Sequence, residues 1–153
     1  MPAQKLKKFL DENNVNYMSF IHSPSYSAQE VAASVRITGR ELAKTVIIKI
    51  DGEFAMAVLP ANRKVVLQDL RDLTGADHVN FASENEFKNL FPDCEIGAMP
   101  PFGNLYSMDV FVAENLGENE EIAFNAGTHT EVIRMPYEDF DRLVKPKVMS
   151  FTT

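Results

Sequence analysis

A tight β-hairpin is the feature that most restricts how this chain can fold. Residues 45–50 (TVIIKI) and 53–59 (EFAMAVL) are rich in apolar side chains, and Asp51-Gly52 separates the two runs. Asp-Gly adopts the positive φ angles that a two-residue hairpin turn requires. Because the apolar runs are nearly continuous, we expect both strands to be covered on both faces and to lie inside a sheet.

Helices are predicted on both sides of the hairpin. Apolar residues recur at helical spacing in residues 3–14, which predicts a first helix. Ser27 and Glu30 match a capping box that opens a second helix. Three more helices are predicted over residues 66–74 with Gly75 as the stop, from Ser83 to Pro92 with Phe87, Leu90 and Phe91 inward, and from Pro136 to Pro146.

The fold class follows from the order of the predicted elements. Further short strands are predicted at residues 17–21, 106–113, 121–125 and 130–135. Helices and strands do not alternate strictly as they do in a Rossmann fold. We therefore predict an α+β fold, with a mixed, mostly antiparallel sheet that curves around a pocket and is flanked by about five helices. Residues 1–153 would form a single domain, which suits a chain of this length.

Charge and composition narrow the classes of function. The net charge of −7 argues against broad non-specific binding to nucleic acid, and a DNA-binding role is not expected. Residues 36–71, however, hold seven basic side chains against four acidic ones, so an anionic ligand is expected there. A chance imbalance on a mixed surface is the alternative. The candidate anion-binding residues are Arg36, Arg40, Arg63 and Lys64.

Several classes of site and location are disfavoured. Cys94 is the only cysteine, and the three histidines show no ligand-type spacing, so neither a metal nor another cofactor is expected. No Walker loop, G-x-G-x-x-G, H-E-x-x-H or G-x-S-x-G motif occurs. No apolar run approaches the ~20 residues that cross a bilayer, and the N-terminus lacks the apolar core of a signal peptide. We therefore expect a cytoplasmic protein without a membrane partner.

Three segments could carry chemistry. Lys44 lies where a polar segment enters the hairpin strand, so its ammonium could reach a pocket. Residues 97–104 (GAMPPFGN) form a proline-stiffened loop whose backbone N–H groups lie outside any ladder, as an oxyanion site requires. Residues 125–130 (NAGTHT) form a small polar turn that holds His129. A solvated lysine and two ordinary connecting loops are the alternative interpretations.

In this order, the three segments resemble the YbaK/ProX family of aminoacyl-tRNA deacylases, which includes the editing domain of bacterial prolyl-tRNA synthetases. The family's lysine matches Lys44 in Leu-Ala-Lys-Thr-Val, and its Gly-x-x-x-Pro loop matches Gly97 to Pro101, followed by Gly103. The late turn matches residues 125–129, and the resemblance covers roughly residues 20–144. Many members carry Ser or Thr where this chain has Pro100, so the substrate preference cannot be transferred.

The resemblance implies that the chain hydrolyses the ester of a mischarged aminoacyl-tRNA. Such an ester is already activated, so a held carbonyl, a stabilised oxyanion and an oriented water suffice. Lys44 would stay protonated, because a base role would need a pKa several units below the ordinary ~10.4. The catalytic candidates are Lys44, Gly97, Pro101 and His129.

Selectivity would come from the size of the pocket. A synthetase distinguishes one methylene by only ~1–3 kcal/mol, so small wrong amino acids require a second sieve. The leading substrate is alanine or a similar small amino acid on the proline tRNA. The candidate substrate-binding residues are Ile47, Met56, Met99, Phe102, Gly103 and Gly127. Ordinary core packing is the alternative for each apolar member of this set.

Partners and rival functions complete the expectations. The acceptor end of aminoacyl-tRNA is the expected partner, bound through Arg36, Arg40, Arg63 and Lys64, because RNA-binding proteins read unpaired ends readily. A synthetase is a further candidate partner. The rivals are a non-catalytic module that binds aminoacyl-tRNA or a synthetase, and an unrelated small-molecule hydrolase or ligand-binding domain. A purely structural protein is disfavoured, because it would have no use for the two glycine-bearing loops.

Overall fold

The computed structural model describes residues 4–22, 30 and 37–153. Within them, the α-helices are α1 (Gln4–Glu12), α2 (Leu67–Thr74), α3 (Glu84–Phe87) and α4 (Tyr137–Val144). The strands are β1 (Met18–Ile21), β2 (Ala43–Ile50), β3 (Glu53–Pro60), β4 (Val79–Phe81), β5 (Asp109–Ala113), β6 (Glu121–Asn125), β7 (Glu131–Pro136) and β8 (Lys147–Met149). Short 3-10 helices span Gly103–Leu105 and Leu116–Glu118. The predicted helix that opens at Ser27 lies, apart from Glu30, outside the described residues.

The strands form two sheets rather than the single sheet that the sequence predicted. One has three strands in the order β1-β7-β6, all antiparallel. The other has five strands in the order β4-β2-β3-β5-β8, in which β4, β2 and β3 are antiparallel and β5 and β8 join in parallel. A parallel bridge between Leu42 and Ala123 joins the two sheets. The α+β class and the mixed pairing are thus confirmed.

The predicted hairpin forms the centre of the five-stranded sheet. Ile50 pairs with Glu53 across the turn, and Ile47 pairs with Met56 further along. Both turn residues have positive φ, 49° at Asp51 and 87° at Gly52, as expected for an Asp-Gly hairpin turn. β2 lies between β4 and β3, and β3 lies between β2 and β5, so both strands are interior.

Side chains of the five-stranded sheet alternate between two buried faces. Ile47, Met56 and Val58 belong to the core shared with α1, α4 and the three-stranded sheet, and we call this side the inner face. Ile48 and Leu59 belong to a second cluster with Leu70 of α2 and with Phe151, and we call this side the outer face. The expectation that both faces are covered is therefore confirmed.

Local signals placed most helix ends correctly, but the end of α3 and the start of β5 were predicted wrongly. Gly75 ends α2 with φ 72°, and Ser83 opens α3 with a capping box to Glu86. The helix nevertheless ends at Phe87, well before the predicted stop, and Leu90 is 38% exposed rather than inward. β5 also begins later than predicted, at Asp109, because residues 106 and 107 form a turn in which Ser107 has φ 56°.

Candidate active site

The proline-stiffened loop and the His129 turn lie against each other. The backbone N–H of Glu95 donates to the carbonyl of Gly127, and the N–H of Gly127 donates to the carbonyl of Ala98, both at 2.8 Å. The Glu95 carboxylate accepts a hydrogen bond from the backbone N–H of His129, also at 2.8 Å. Residues 95–98 and 127–129 thus form a cross-braced unit, which we call the loop–turn clamp.

The His129 ring is held by the same loop. Its Nε2 lies 2.8 Å from the carbonyl oxygen of Ile96. Because a carbonyl only accepts, Nε2 must carry the proton, and the neutral ring then has its lone pair on Nδ1. A Cβ added at Gly97, where φ is 87°, would lie 3.3 Å from Cε1 of His129. Glycine at position 97 therefore allows both the backbone conformation and the close approach of the ring.

Several amides of the loop have no strong acceptor. The N–H of Gly97 contacts only the thioether sulfur of Met99, at 3.3 Å, and thioether sulfur is a weak acceptor. Within the described residues, the N–H groups of Met99, Phe102 and Gly103 have no hydrogen-bond acceptor. Pro101 and the preceding proline are buried and have no N–H group. A buried amide without a partner is costly, so such a group is suited to an oxygen supplied by a ligand.

The apolar residues predicted to contact substrate lie in the inner core. Ile47 and Met56 face each other across the hairpin and are 3% and 0% exposed. Phe102 is fully buried against Phe124 and Phe140, with ring centroids 5.5 and 5.7 Å away. Met99 belongs to the same cluster. Their roles as pocket walls stay predictions, since core packing already accounts for their burial.

Gly103 is constrained by packing. A Cβ at this position would lie 2.5 Å from Cγ2 of Val110 and 2.6 Å from the carbonyl oxygen of Met108. No side chain fits there without movement of the neighbouring strand or turn. The close packing alone therefore requires glycine at position 103, whether or not the residue contacts substrate.

Lys44 lies on the outer face of β2, paired with Leu59 and partly buried. Burial lowers the pKa of its amine from the ordinary value, and the positive charge of Lys64 lowers the pKa further. No acidic side chain within the described part of the chain pairs with Lys44 or Lys64. An anion would stabilise two neighbouring ammonium groups that have no counterion among the described residues.

The lysine pair and the loop–turn clamp are connected through the bridge between the sheets. Strand alternation puts Lys44 on the face opposite Ile47, whereas the loop side chains pack in the inner core. However, Leu42 and Ala123 form a parallel bridge, so the two strands run in the same direction from it. Lys44 in β2 and Asn125 in β6 each lie two residues beyond this bridge. Asn125 comes two residues before Gly127 of the clamp. That the Lys44 ammonium and the loop amides share one cavity stays a prediction. The register at the bridge favours this prediction.

Asn125 is a residue that the sequence named only as part of the turn. Its Oδ1 is buried and has no hydrogen-bond partner within the described structure. A buried carboxamide oxygen without a donor is unfavourable by itself, so it is suited to a donor on a ligand. Asn125 therefore joins the candidate site, although residue type alone gave no reason to separate it from its neighbours.

Three of the four predicted tRNA-binding residues belong to the described part of the chain, and Lys64 among them lies close to Lys44. Arg40 is exposed in the turn before β2. Arg63 donates from its guanidinium to the carbonyl of Thr153 at 3.0 Å, and the backbone N–H of Thr153 donates to the carbonyl of Lys64, also at 3.0 Å. The C-terminus therefore fixes the backbone that carries Lys64. Arg36 lies outside the described residues.

Cys94, the one cysteine of the chain, is not suited to nucleophilic catalysis. Burial raises the pKa of the Cys94 thiol to about 11, and its sulfur lies 3.2 Å from the hydroxyl of Tyr106. A thiol with this pKa is a poor nucleophile at neutral pH. Among the described residues, no group of three His, Cys, Asp or Glu side chains could hold a metal ion. In the same part of the chain, every helix is too short or too polar to cross a membrane.

Comparison of the sequence with known proteins finds a matching family and similar relatives. The profile of the aminoacyl-tRNA editing domain matches residues 22–143. The prolyl-tRNA editing protein ProX of Acetoanaerobium sticklandii is 24% identical, over 93% of this chain and 90% of its own. The multifunctional Ser/Thr-tRNA deacylase ProXp-y of Escherichia coli K12 is 26% identical, over 97% of this chain and 91% of its own.

A solved structure shows the same fold. It is described as a candidate trans-editing enzyme for prolyl tRNA synthetase and superposes with a TM-score of 0.85. The match covers 99% of this chain and 97% of that one, at 17% sequence identity. At this identity the likeness bears on the fold alone. Together with the domain match over most of the sequence, it means that the chain belongs to the aminoacyl-tRNA editing domain family.

Proposed function

We propose that this chain hydrolyses the ester bond between a wrongly attached amino acid and tRNA, acting as a free-standing editing enzyme. The observation that carries the proposal is the group of backbone N–H donors at Gly97, Met99, Phe102 and Gly103, which have no strong acceptor among the described residues and lie next to the His129 turn. The matched domain family and the two named relatives support the same reaction class.

The loop supplies the main chemical requirement of the reaction. Water attacks the ester carbonyl, and negative charge develops on the carbonyl oxygen in the tetrahedral intermediate. Fixed N–H donors stabilise that charge, and removal of one such donor typically costs about 10²–10³ in rate. Gly97 and Pro101 hold the loop in place, and Nδ1 of His129 is suited to accept a hydrogen bond from the attacking water.

The lysine pair supplies the second requirement, which is to hold the nucleic acid. We assign Lys44 to a phosphate or to the ester region at the end of the tRNA, where it acts as a cation rather than as a base. No acidic partner of Lys44 is found among the described residues, and Lys64 lies close to it, and both facts support this assignment. Arg36, Arg40 and Arg63 would bind the adjoining phosphates of the acceptor end, in a salt-dependent manner.

The substrate that we favour is alanine or another small amino acid on the proline tRNA. A pocket bounded by Ile47, Met56, Met99 and Phe102, with Gly127 at its mouth, would accept a small side chain and exclude a large one. The carboxamide oxygen of Asn125 is suited to accept a hydrogen bond from the amino group of the substrate. A synthetase that delivers the mischarged tRNA remains a candidate partner.

The test is a deacylation assay on a panel of mischarged tRNAs, with loss of labelled amino acid as the readout. We expect turnover for a small amino acid and none for the correctly charged tRNA. Lys44→Ala should lower the rate by at least about tenfold, because it removes a charged contact worth more than ~1.4 kcal/mol. Lys88→Ala, at an exposed position after α3, is the matched control.

Three outcomes would refute the proposal or part of it. Binding of aminoacyl-tRNA without turnover by the wild-type protein would identify a non-catalytic module on this fold. A full deacylation rate in the Lys44→Ala variant would remove Lys44 from the site while leaving the reaction itself in place. Indifference to tRNA altogether would point to a different class of ligand.

A further inference from the structure

We infer that Glu95 is a positioning residue for His129, an inference that rests on the function proposed above. Glu95 precedes the loop, and its side chain is exposed. Within the described residues its carboxylate pairs with no basic side chain. It instead accepts a hydrogen bond from the backbone N–H of His129 at 2.8 Å.

Glu95 binds both ends of the His129 turn. Its own backbone N–H donates to the carbonyl of Gly127 at 2.8 Å, while its side chain accepts from the N–H two residues later. The turn has other hydrogen bonds, including one from the N–H of Gly127 to the carbonyl of Ala98 and one between the hydroxyls of Thr128 and Thr130. Among the described residues, however, only the Glu95 carboxylate bonds the backbone N–H of His129. A charged acceptor on a backbone N–H forms one of the stronger classes of hydrogen bond. Glu95 therefore fixes the backbone from which the His129 ring projects.

The orientation of the His129 ring depends on Ile96, the residue that follows Glu95. The carbonyl of Ile96 can accept from Nε2 only while the His129 backbone stays where Glu95 holds it. That hydrogen bond selects the neutral tautomer with the proton on Nε2. Loss of the Glu95 acceptor would free the ring to rotate and to exchange its proton between the two nitrogens. Nδ1 would then no longer present a fixed lone pair.

Two variants separate the hydrogen bond from the charge. Glu95→Gln keeps a carbonyl oxygen at the same reach, so it should retain most of the deacylation rate. Glu95→Ala removes the acceptor and should lower kcat by about tenfold to a hundredfold, the scale expected for a misplaced catalytic group, with little change in KM. The melting temperature of each variant, measured alongside, separates local misplacement from general destabilisation.

Nitrogen NMR of the histidine rings provides a readout that needs no substrate. In the wild-type protein, His129 should show the tautomer protonated on Nε2. In Glu95→Ala it should show exchange between both tautomers, and in Glu95→Gln it should resemble the wild type. If the wild type fails to deacylate any tRNA but the NMR pattern holds, the proposed function falls while the positioning of His129 stands.

The opposite results would overturn the inference. A Glu95→Ala variant with the wild-type tautomer and an unchanged kcat would mean that Glu95 does not position the ring. So would a Glu95→Gln variant as impaired as Glu95→Ala, because the charge rather than the acceptor would then matter.

Discussion

Replacing Gly103 with alanine tests the packing around the loop most directly. The added Cβ would meet Cγ2 of Val110 at 2.5 Å and the carbonyl oxygen of Met108 at 2.6 Å. Valine is stiff at χ1 and the second atom is backbone, so neither neighbour can move away cheaply. Overpacking of this kind typically costs about 1–3 kcal/mol, and two such close contacts place this variant in the upper part of that range.

The assay is thermal and denaturant unfolding of the purified variant. For a chain of this size, a loss of about 2–3 kcal/mol corresponds to a melting temperature lower by about 4–12 °C. Gly39→Ala is the matched control, because its Cβ would meet the Asn62 side chain at an ordinary 3.4 Å. A Gly103→Ala variant as stable as the wild type would refute the packing argument and would leave contact with substrate as the reason for glycine at this position.

Two further predictions concern groups outside the site. Lys7→Met should lower the free energy of unfolding by about 1–2 kcal/mol, as measured by urea titration, because it removes the 2.6 Å ion pair of Glu131. Among the described residues, that buried carboxylate then keeps Ser19 as its one side-chain hydrogen-bond partner. An unchanged stability would show that the pair is energetically neutral. Cys94, whose pKa is raised to about 11, should react with a thiol reagent at pH 8 more than about a hundredfold more slowly than an ordinary cysteine, and its rate should rise as the pH approaches that pKa. Rapid labelling at pH 8 in the folded protein would contradict the buried environment.

The hairpin and the helix ends could be predicted because their causes are local. Asp51-Gly52 supplies two positive φ angles, and Gly75 supplies another at the end of α2. The division into two sheets could not be predicted in this way. β8 has only three residues. It joins the five-stranded sheet by pairing in parallel with β5, where Phe111 pairs with Lys147 from a distant part of the chain. Neither segment carries a local signal for that pairing.

The candidate site was predictable in its parts but not in its assembly. Residue type alone indicated that residues 97–104 and the His129 turn are unusual. The clamp between them depends on Glu95 and Ile96, which lie 34 and 33 residues from His129 and contribute through one carboxylate and one carbonyl. A glutamate next to a glycine loop does not differ in sequence from any surface glutamate, so only the fold reveals its role.

The register of the hairpin also bears on what the site can bind. With Ile47 facing inward, Lys44 three positions earlier must face outward, so the ammonium cannot approach the loop through the inner core. An approach around the first residue of β2, beside the bridge to Ala123, is compatible with this register. We therefore expect a substrate that uses both groups to bind at this edge, with its ester towards the clamp and a phosphate towards the lysine pair. The last nucleotide of an aminoacyl-tRNA carries an ester and a phosphate on the same ribose, which matches this requirement, whereas a simple uncharged ester would leave Lys44 and Lys64 without a partner.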